Sequence, residues 1–175
     1  MVRRRLAAAL LAVAALLGVQ LTTAGPAFAA TRTLYYDASQ AQEFVSVVNQ
    51  AATLWNGRVT NVRLVPVPAG RTPNIRVTAD NGWPRTYPTS LGNGRWVMGR
   101  EAVNDGYSVL RIATHEFGHI LGLPDNRTGL CSDLMSGSSA PVSCANATPS
   151  AAEASAVQRN FASAAAAAPV PATVF

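Results

Sequence analysis

The sequence predicts one α+β domain that combines a few short strands with three longer helices. Two observations predict this fold. Segments of β type are concentrated in the first half of the chain. Apolar residues recur at helical spacing in three longer segments, two of which lie in the second half. A length of 175 residues allows one ordinary domain and not two. A hydrophobic fraction of 49% excludes a disordered chain, although alanine-rich stretches at both ends inflate that fraction.

The first 29 residues have the organisation of a secretory signal peptide. Three arginines at residues 3–5 precede an apolar run over residues 6–19, and Ala27-Phe28-Ala29 forms an A-x-A cleavage site. The apolar run is shorter than the roughly 20 residues that a membrane span needs. We therefore expect a secreted, extracellular domain over residues 30–162 that has no membrane association after cleavage.

Three predicted elements follow in the first half of that domain. Residues 32–36 form a strand, and residues 39–55 form an amphipathic helix that ends before Gly57. Residues 62–67 alternate as a further strand, in which Pro66 favours a position at a sheet edge.

The middle of the domain is predicted to contain two more strands and a loop. Residues 74–78 form a short strand, and residues 84–94 form a loop because they are rich in Pro, Gly, Ser and Thr. Residues 95–99 form the fourth strand, which we expect at an exposed edge where an extended peptide could add to the sheet, with a plain surface hairpin as the alternative.

The remaining elements are two helices and a tail. One helix covers residues 108–121, and the last helix has Thr148 as its N-cap and Pro149 at its first position. The tail over residues 163–175 is rich in Ala and Pro, and we expect it to be mobile and to have no packed role.

The charge balance does not support a nucleic-acid partner. All 14 basic residues are Arg, three of them belong to the predicted signal peptide, and the remaining 11 nearly balance the 9 acidic residues. Phosphate binding needs a clustered basic stripe, and the sequence has none.

The helix predicted at residues 108–121 contains His115-Glu116-Phe117-Gly118-His119, which matches H-E-x-x-H. Side chains four positions apart project from nearly the same face of a helix, so both imidazoles can reach one zinc ion. Glu116 then lies beside the metal, where a carboxylate can act as general base. Two ordinary helix histidines are the alternative interpretation.

A catalytic zinc ion normally has three protein ligands, and the chain contains no third His. Gly122 permits a left-handed turn after the helix and Pro124 prevents the helix from resuming, so Asp125 can fold back toward the metal. An ordinary turn aspartate is the alternative for Asp125, and Glu153 on the last helix is the rival third ligand.

Cys131 and Cys144 are an even pair of cysteines in a chain that we expect to be exported. A disulfide is favoured over two free thiols in an oxidising compartment. Closing a loop of this length would stabilise the fold by about 3 kcal/mol in the chain-entropy model.

The string HEFGHILGLPD at residues 115–125 resembles the metzincin metalloproteases, whose zinc motif is followed by a methionine-bearing turn. Met135, in Leu134-Met135-Ser136-Gly137, matches that turn. An aspartate as third ligand, the cysteine pair and the small size resemble the snapalysin family within that group, over about residues 31–161.

The resemblance implies a metzincin-like fold: a small twisted mixed sheet with an active-site helix, a backing helix and a C-terminal helix. It also implies a monomeric zinc endopeptidase of protein and peptide substrates that prefers an aromatic residue after the scissile bond. The pocket for that residue would lie between the active-site helix and residues 136–141.

The sequence departs from the snapalysin family in two places. A calcium site of the family maps to Ser108 and Leu110, and leucine offers no side-chain oxygen. Asp105 alone would be a poor calcium site, so the sequence gives Ca²⁺ little support. The first strand begins directly after the predicted cleavage site, so latency through a pro-segment is not expected.

Two other functions are consistent with the motif. Two His and one carboxylate also describe a non-haem iron oxygenase, although Glu116 has no role there. The other alternative is a secreted zinc-binding protein without activity, although such a protein would be expected to lose Glu116. Metal analysis would separate zinc from iron.

Overall fold

The computed structural model describes residues 31–162 and 173–175. The predicted signal peptide and most of the predicted tail lie outside these residues. In the part of the chain that is described, no helix has both the length and the apolar character that crossing a membrane requires.

The described residues form one mixed sheet and four α-helices. The strands are β1 (Arg32–Gln40), β2 (Val62–Pro66), β3 (Ile75–Asp80), β4 (Arg85–Ser90), β5 (Asn93–Gly99) and β6 (Thr173–Val174). The helices are α1 (Val45–Asn56), α2 (Arg100–Asn104), α3 (Val109–Ile120) and α4 (Ala151–Asn160). Short 3₁₀ turns at Gln42–Phe44 and Leu134–Ser139 precede α1 and α4.

The strands lie in the order β2-β1-β3-β5-β4-β6. The pairs β1–β2, β1–β3 and β3–β5 are parallel, whereas β4 is antiparallel to both β5 and β6. This arrangement confirms the expected α+β fold with a mixed sheet.

The loop predicted at residues 84–94 is wrong over Arg85–Ser90, which forms β4. The composition of this segment is typical of a loop, but the segment forms the first strand of a hairpin. Only two residues connect β4 to β5, and one of them, Gly92, has φ 79°. A short connection of this kind commonly contains a residue with positive φ, which glycine adopts without a steric penalty. Pairing with β5 then satisfies the backbone of β4.

Residues 95–99 do not form an exposed edge, because β5 lies between β3 and β4. The expectation that a peptide adds to β5 is therefore wrong. The antiparallel hairpin extends the sheet by one strand, so β4 presents its far edge to β6 instead.

Helix α3 is the central element of the fold. Ten consecutive residues from Arg111 to Ile120 are buried, so the helix is enclosed on all sides. The Phe117 ring packs edge-on against Trp96 of the sheet, with ring centroids 5.2 Å apart. On the α1 side, Trp55 Nε1 donates to the Thr114 carbonyl at 2.9 Å. Sheet and backing helix together fix the position of α3.

Two helix starts differ from the sequence prediction. Strand β1 extends to Gln40, so the first helix begins at Val45 and not at residue 39. The last helix has Ser150 as its N-cap in place of Thr148, because Ser150 and Glu153 form a capping box. A reciprocal pair of hydrogen bonds satisfies two N–H groups of the first turn, which one threonine side chain does not achieve.

The end of the chain is packed where it is described. The prediction of an unpacked tail is wrong for residues 173–175, because β6 pairs with β4 and Phe175 is only 3% exposed. An aromatic side chain that finds an apolar pocket gains more from burial than a polar tail residue would.

Candidate active site

His115 and His119 lie one turn apart on α3, and both side chains are fully buried. Their Nε2 atoms are 3.0 Å apart. Asp125 Oδ1 lies 3.3 Å from His115 Nε2 and 3.6 Å from His119 Nε2. The structure therefore brings together the three side chains that the sequence singled out as ligands. Within residues 31–162 and 173–175, this is the only converging group of three His, Cys, Asp or Glu side chains.

Two backbone carbonyls set the tautomers of these histidines. The Leu134 carbonyl accepts from His115 Nδ1 at 3.0 Å, and the Leu123 carbonyl accepts from His119 Nδ1 at 2.8 Å. A carbonyl can only accept, so each proton resides on Nδ1. In the neutral form of each ring, Nε2 then carries a lone pair and faces both the other Nε2 and Asp125.

Such an arrangement of acceptors fits a bound cation. Asp125 Oδ1 is buried and has no hydrogen-bond partner among the described residues. Burial, together with the neighbouring His115, lowers the pKa of His119 to about 4, which keeps that imidazole neutral and able to bind a metal. Two imidazoles and one carboxylate are the ligand set of many metal sites with an open coordination position.

The chain reversal after α3 positions one of these ligands. Leu123 N donates to the Gly118 carbonyl at 2.9 Å and Gly122 N donates to the His119 carbonyl at 3.0 Å. This pair of bonds is a Schellman motif, and Gly122 has the positive φ, 87°, that the motif requires. This turn places the Leu123 carbonyl beside His119 Nδ1. The backbone conformation of Gly122 therefore determines the hydrogen bond that orients this imidazole.

Asp125 is oriented by a neighbouring arginine. Its Oδ2 accepts from Arg127 at 3.0 Å, which leaves Oδ1 directed at the two imidazoles. Burial raises the pKa of Asp125, but the contacts with His115, His119 and Arg127 outweigh that effect and hold the pKa below its usual value. Asp125 is therefore a carboxylate in this environment.

Glu116 is fully buried beside this cluster. Burial raises the pKa of its carboxyl group to about 7. Its Oε2 accepts a hydrogen bond from the Thr86 hydroxyl, whereas Oε1 has no partner among the described residues. One oxygen is thus held in place and the other is available.

Sequence reasoning missed Thr86, because β4 was interpreted as a loop. Thr86 is fully buried, and β4 carries its hydroxyl from the sheet to Glu116 on α3. The β propensity of Thr86 and Tyr87 is a local signal that could indicate a strand in this segment.

Met135 packs directly beneath α3. A Cβ atom on Gly118 would lie 2.6 Å from Met135 Sδ and 3.4 Å from Trp55. Gly118, which stands between the two histidines in sequence, therefore provides the space into which the methionine side chain fits. Met135 thus packs against the part of α3 that carries the two histidines.

Glu153 does not join the histidines. Its Oε1 accepts from the backbone N–H of Met135 and its Oε2 from the backbone N–H of Ser150, both at 2.7 Å. Both oxygens are therefore occupied in connecting the methionine turn to the start of α4. The geometry gives no support to Glu153 as the third ligand.

The segment around the methionine turn is fixed by a disulfide and a buried arginine. Cys131 and Cys144 are bonded, with Cα atoms 5.6 Å apart. Arg111 of α3 is 2% exposed, and its guanidinium donates to backbone carbonyls of this segment. The acceptors are the carbonyls of Cys131, Asp133, Leu134 and Asn146.

Sequence reasoning also missed Arg111. Burial lowers the pKa of Arg111, because a charged group inside the domain loses its solvation. Hydrogen bonds to the four backbone carbonyls offset that loss. A lone arginine among apolar positions of a helix was the available signal.

The positions that match a family calcium site have other contacts. Ser108 is the N-cap of α3 and its hydroxyl accepts from the Arg111 N–H at 3.4 Å. Leu110 is half-buried and packs against the core.

A mixed sheet under a buried H-E-x-x-H helix, with two imidazoles and a following aspartate that converge, defines a metzincin-like α+β domain. The sequence profile of the Streptomyces extracellular neutral proteinase (M7) family matches residues 31–164. The chain belongs to this family.

Individual relatives agree with the family match. An extracellular small neutral protease of Streptomyces coelicolor is 40% identical over 131 residues, which are 74% of this chain and 60% of that protein. The protein of the same name from Streptomyces caespitosus is 38% identical over 128 residues, 73% of this chain and 95% of that protein. The chain thus spans about three fifths of the first of these relatives and nearly all of the second.

Proposed function

We propose that this chain is a secreted zinc endopeptidase. The observation that carries the proposal is the position of Glu116, a buried carboxylate with one free oxygen beside a converging His-His-Asp cluster. Family membership supports the same activity, since the relatives are named extracellular neutral proteases. The disulfide suits an oxidising, extracellular location.

In this proposal His115, His119 and Asp125 hold zinc. Nitrogen and oxygen donors in a three-residue set are typical of catalytic zinc sites, which keep one position open. When bound, zinc would supply a Lewis acid that makes a water molecule more acidic and polarises the scissile carbonyl. Arg127 would keep Asp125 ionised and correctly oriented as the third ligand.

Glu116 would act as general base and then as general acid. Its free Oε1 can accept the proton of the attacking water, and the same carboxyl group can return that proton to the leaving amine. Thr86 would hold Oε2, so that the carboxylate keeps one orientation through both proton transfers. Burial raises the pKa of Glu116 toward neutrality, which suits a group that must both accept and release a proton near neutral pH.

The peptide substrate would bind along β4. The antiparallel pairing of β6 supports this proposal, because it demonstrates that the edge of β4 accepts an extended segment. The space beside this edge of β4 also accommodates an aromatic ring, because Phe175 lies there among Trp83, Tyr107 and His115. We propose that an aromatic substrate residue after the scissile bond occupies this space.

The resemblance implies a pocket between the active-site helix and residues 136–141, and this position is compatible with it, since the Tyr107 hydroxyl donates to the Ser138 carbonyl at 3.4 Å. Tyr107 would then connect the aromatic space to that segment. We further propose that the enzyme acts as a monomer on protein and peptide substrates.

A digest of casein tests the proposal, with and without a zinc chelator and after zinc is restored. We expect cleavage that the chelator abolishes and zinc recovers, and new N-termini enriched in aromatic residues by mass spectrometry. Glu116→Gln should keep about one zinc per chain and lose about 10² to 10⁴-fold in turnover, the range of a general base. Retained activity in Glu116→Gln, or iron in place of zinc in the purified chain, would contradict the proposal.

A further inference from the structure

Residues 173–175 lie along the edge of β4, in the position that we propose for a peptide substrate and call the peptide groove. Thr173 and Val174 pair antiparallel with Thr86 and Arg85 of β4. Thr86 is the same residue whose hydroxyl donates to Glu116. The added strand therefore runs past the candidate general base.

Two further backbone contacts fix the position of Phe175. Its N–H donates to the Pro84 carbonyl at 3.1 Å, and its main-chain oxygen accepts from Trp83 Nε1. The first bond continues the antiparallel pairing beyond β6. In the second bond, the indole N–H of Trp83 binds the tail backbone. This donor is then not available to the backbone of a bound peptide.

The Phe175 side chain fills an aromatic space next to the His-His-Asp cluster. Its ring centroid lies 4.9 Å from that of His115 and 5.6 Å from that of Tyr107, with the ring planes nearly perpendicular in both pairs. Trp83 lies on a third side, at 6.4 Å. Phe175 is only 3% exposed, so no second aromatic ring can share this space.

We propose that residues 173–175 are an internal competitor that fills the peptide groove and must leave before a peptide binds. This inference rests on the proposed function, because it takes the edge of β4 as the substrate site. Apparent affinity falls with the fraction of molecules whose site is free. A tail that fills the groove in about nine of ten molecules would weaken peptide binding about tenfold.

Binding measurements on the metal-free chain test the proposal without activity. The variants are Phe175→Ala and a chain that lacks residues 173–175, and Val45→Ala removes an exposed apolar side chain of α1 as the control. The probe is a synthetic peptide with the sequence of residues 170–175. Trp55 and Trp96 are fully buried, so acrylamide quenching of fluorescence reports mainly on Trp83.

We expect both tail variants to be quenched more readily than the intact chain and to bind the peptide about tenfold more tightly. In the zinc-loaded chain, both should lower KM for a peptide substrate by a similar factor and leave kcat unchanged. Equal quenching and equal peptide affinity in all chains would overturn the proposal. If every chain, zinc-loaded, fails to cleave peptides, the proposed function is wrong, while quenching and peptide binding still decide whether the tail occupies the groove.

Discussion

Thr86 and Glu116 form a hydrogen bond between the antiparallel strand β4 and the central helix α3, and both side chains are fully buried. The bond joins a hydroxyl of β4, where an extended segment pairs, to the carboxyl group beside the His-His-Asp cluster. It connects β4, the proposed substrate-binding strand, to Glu116, the proposed general base.

Removal of this hydroxyl should slow turnover without loss of metal. Thr86→Val keeps the side-chain shape and leaves Glu116 without its fixed partner. A hydrogen bond to a charged group contributes about 1.5 to 3 kcal/mol, so we expect kcat to fall about 10- to 100-fold while KM changes little. Zinc content and steady-state kinetics are measured together. Thr86→Ser should restore most of kcat, and a failure of serine to do so would contradict a positioning role for the hydroxyl.

Asp125 and Glu153 should respond differently to substitution. Asp125→Ala removes a converging ligand atom, so we expect zinc affinity to fall at least about tenfold and proteolysis to be lost. Asp125→His should retain zinc, because imidazole is a suitable third ligand. Glu153→Gln leaves one of its two backbone donors facing an amide nitrogen, so it should lower stability by about 1 to 3 kcal/mol and keep zinc. Metal loss in Glu153→Gln with an intact Asp125→Ala site would reverse the assignment.

Gly122 should be far less tolerant of substitution than Gly70. Both have positive φ, 87° and 77°, so alanine strains the backbone at either position. A Cβ atom at Gly122 would also lie 2.8 Å from Asn160 Nδ2, whereas a Cβ atom at Gly70 meets nothing within 4 Å. We expect Gly70→Ala to cost about 1 kcal/mol and Gly122→Ala clearly more, with weaker zinc binding because the Leu123 carbonyl moves. Chemical denaturation and zinc titration of both variants provide the comparison, and equal effects would argue against the turn as a determinant of His119 orientation.

The disulfide should stabilise the segment that carries Met135. Replacement of both Cys131 and Cys144 by Ser should lower the free energy of unfolding by about 3 kcal/mol in the chain-entropy model.

Arg111→Met should also destabilise the fold, because four backbone carbonyls lose their buried donor. Thermal melting checks both changes. An unchanged melting temperature in the double serine variant would mean that the bridge does not stabilise the segment.

The sequence by itself determined the metal-site hypothesis. His115, Glu116 and His119 are close in sequence on one helix, and Gly122 and Pro124 constrain where Asp125 can go. Spacing of this kind is a local property, because helical geometry alone brings residues four apart together. The structure accordingly brings the side chains of His115, His119 and Asp125 together, as the spacing predicted.

The contacts that support the site depended on tertiary structure. Thr86 reaches Glu116 only because β4 pairs with β5, and Glu153 binds Met135 only because α4 packs against the methionine turn. Phe175 reaches His115 across 60 positions of sequence, through pairing at a strand edge that a loop-like composition concealed. Such contacts satisfy buried polar groups and fill apolar space created by the folded chain, so local propensity does not encode them.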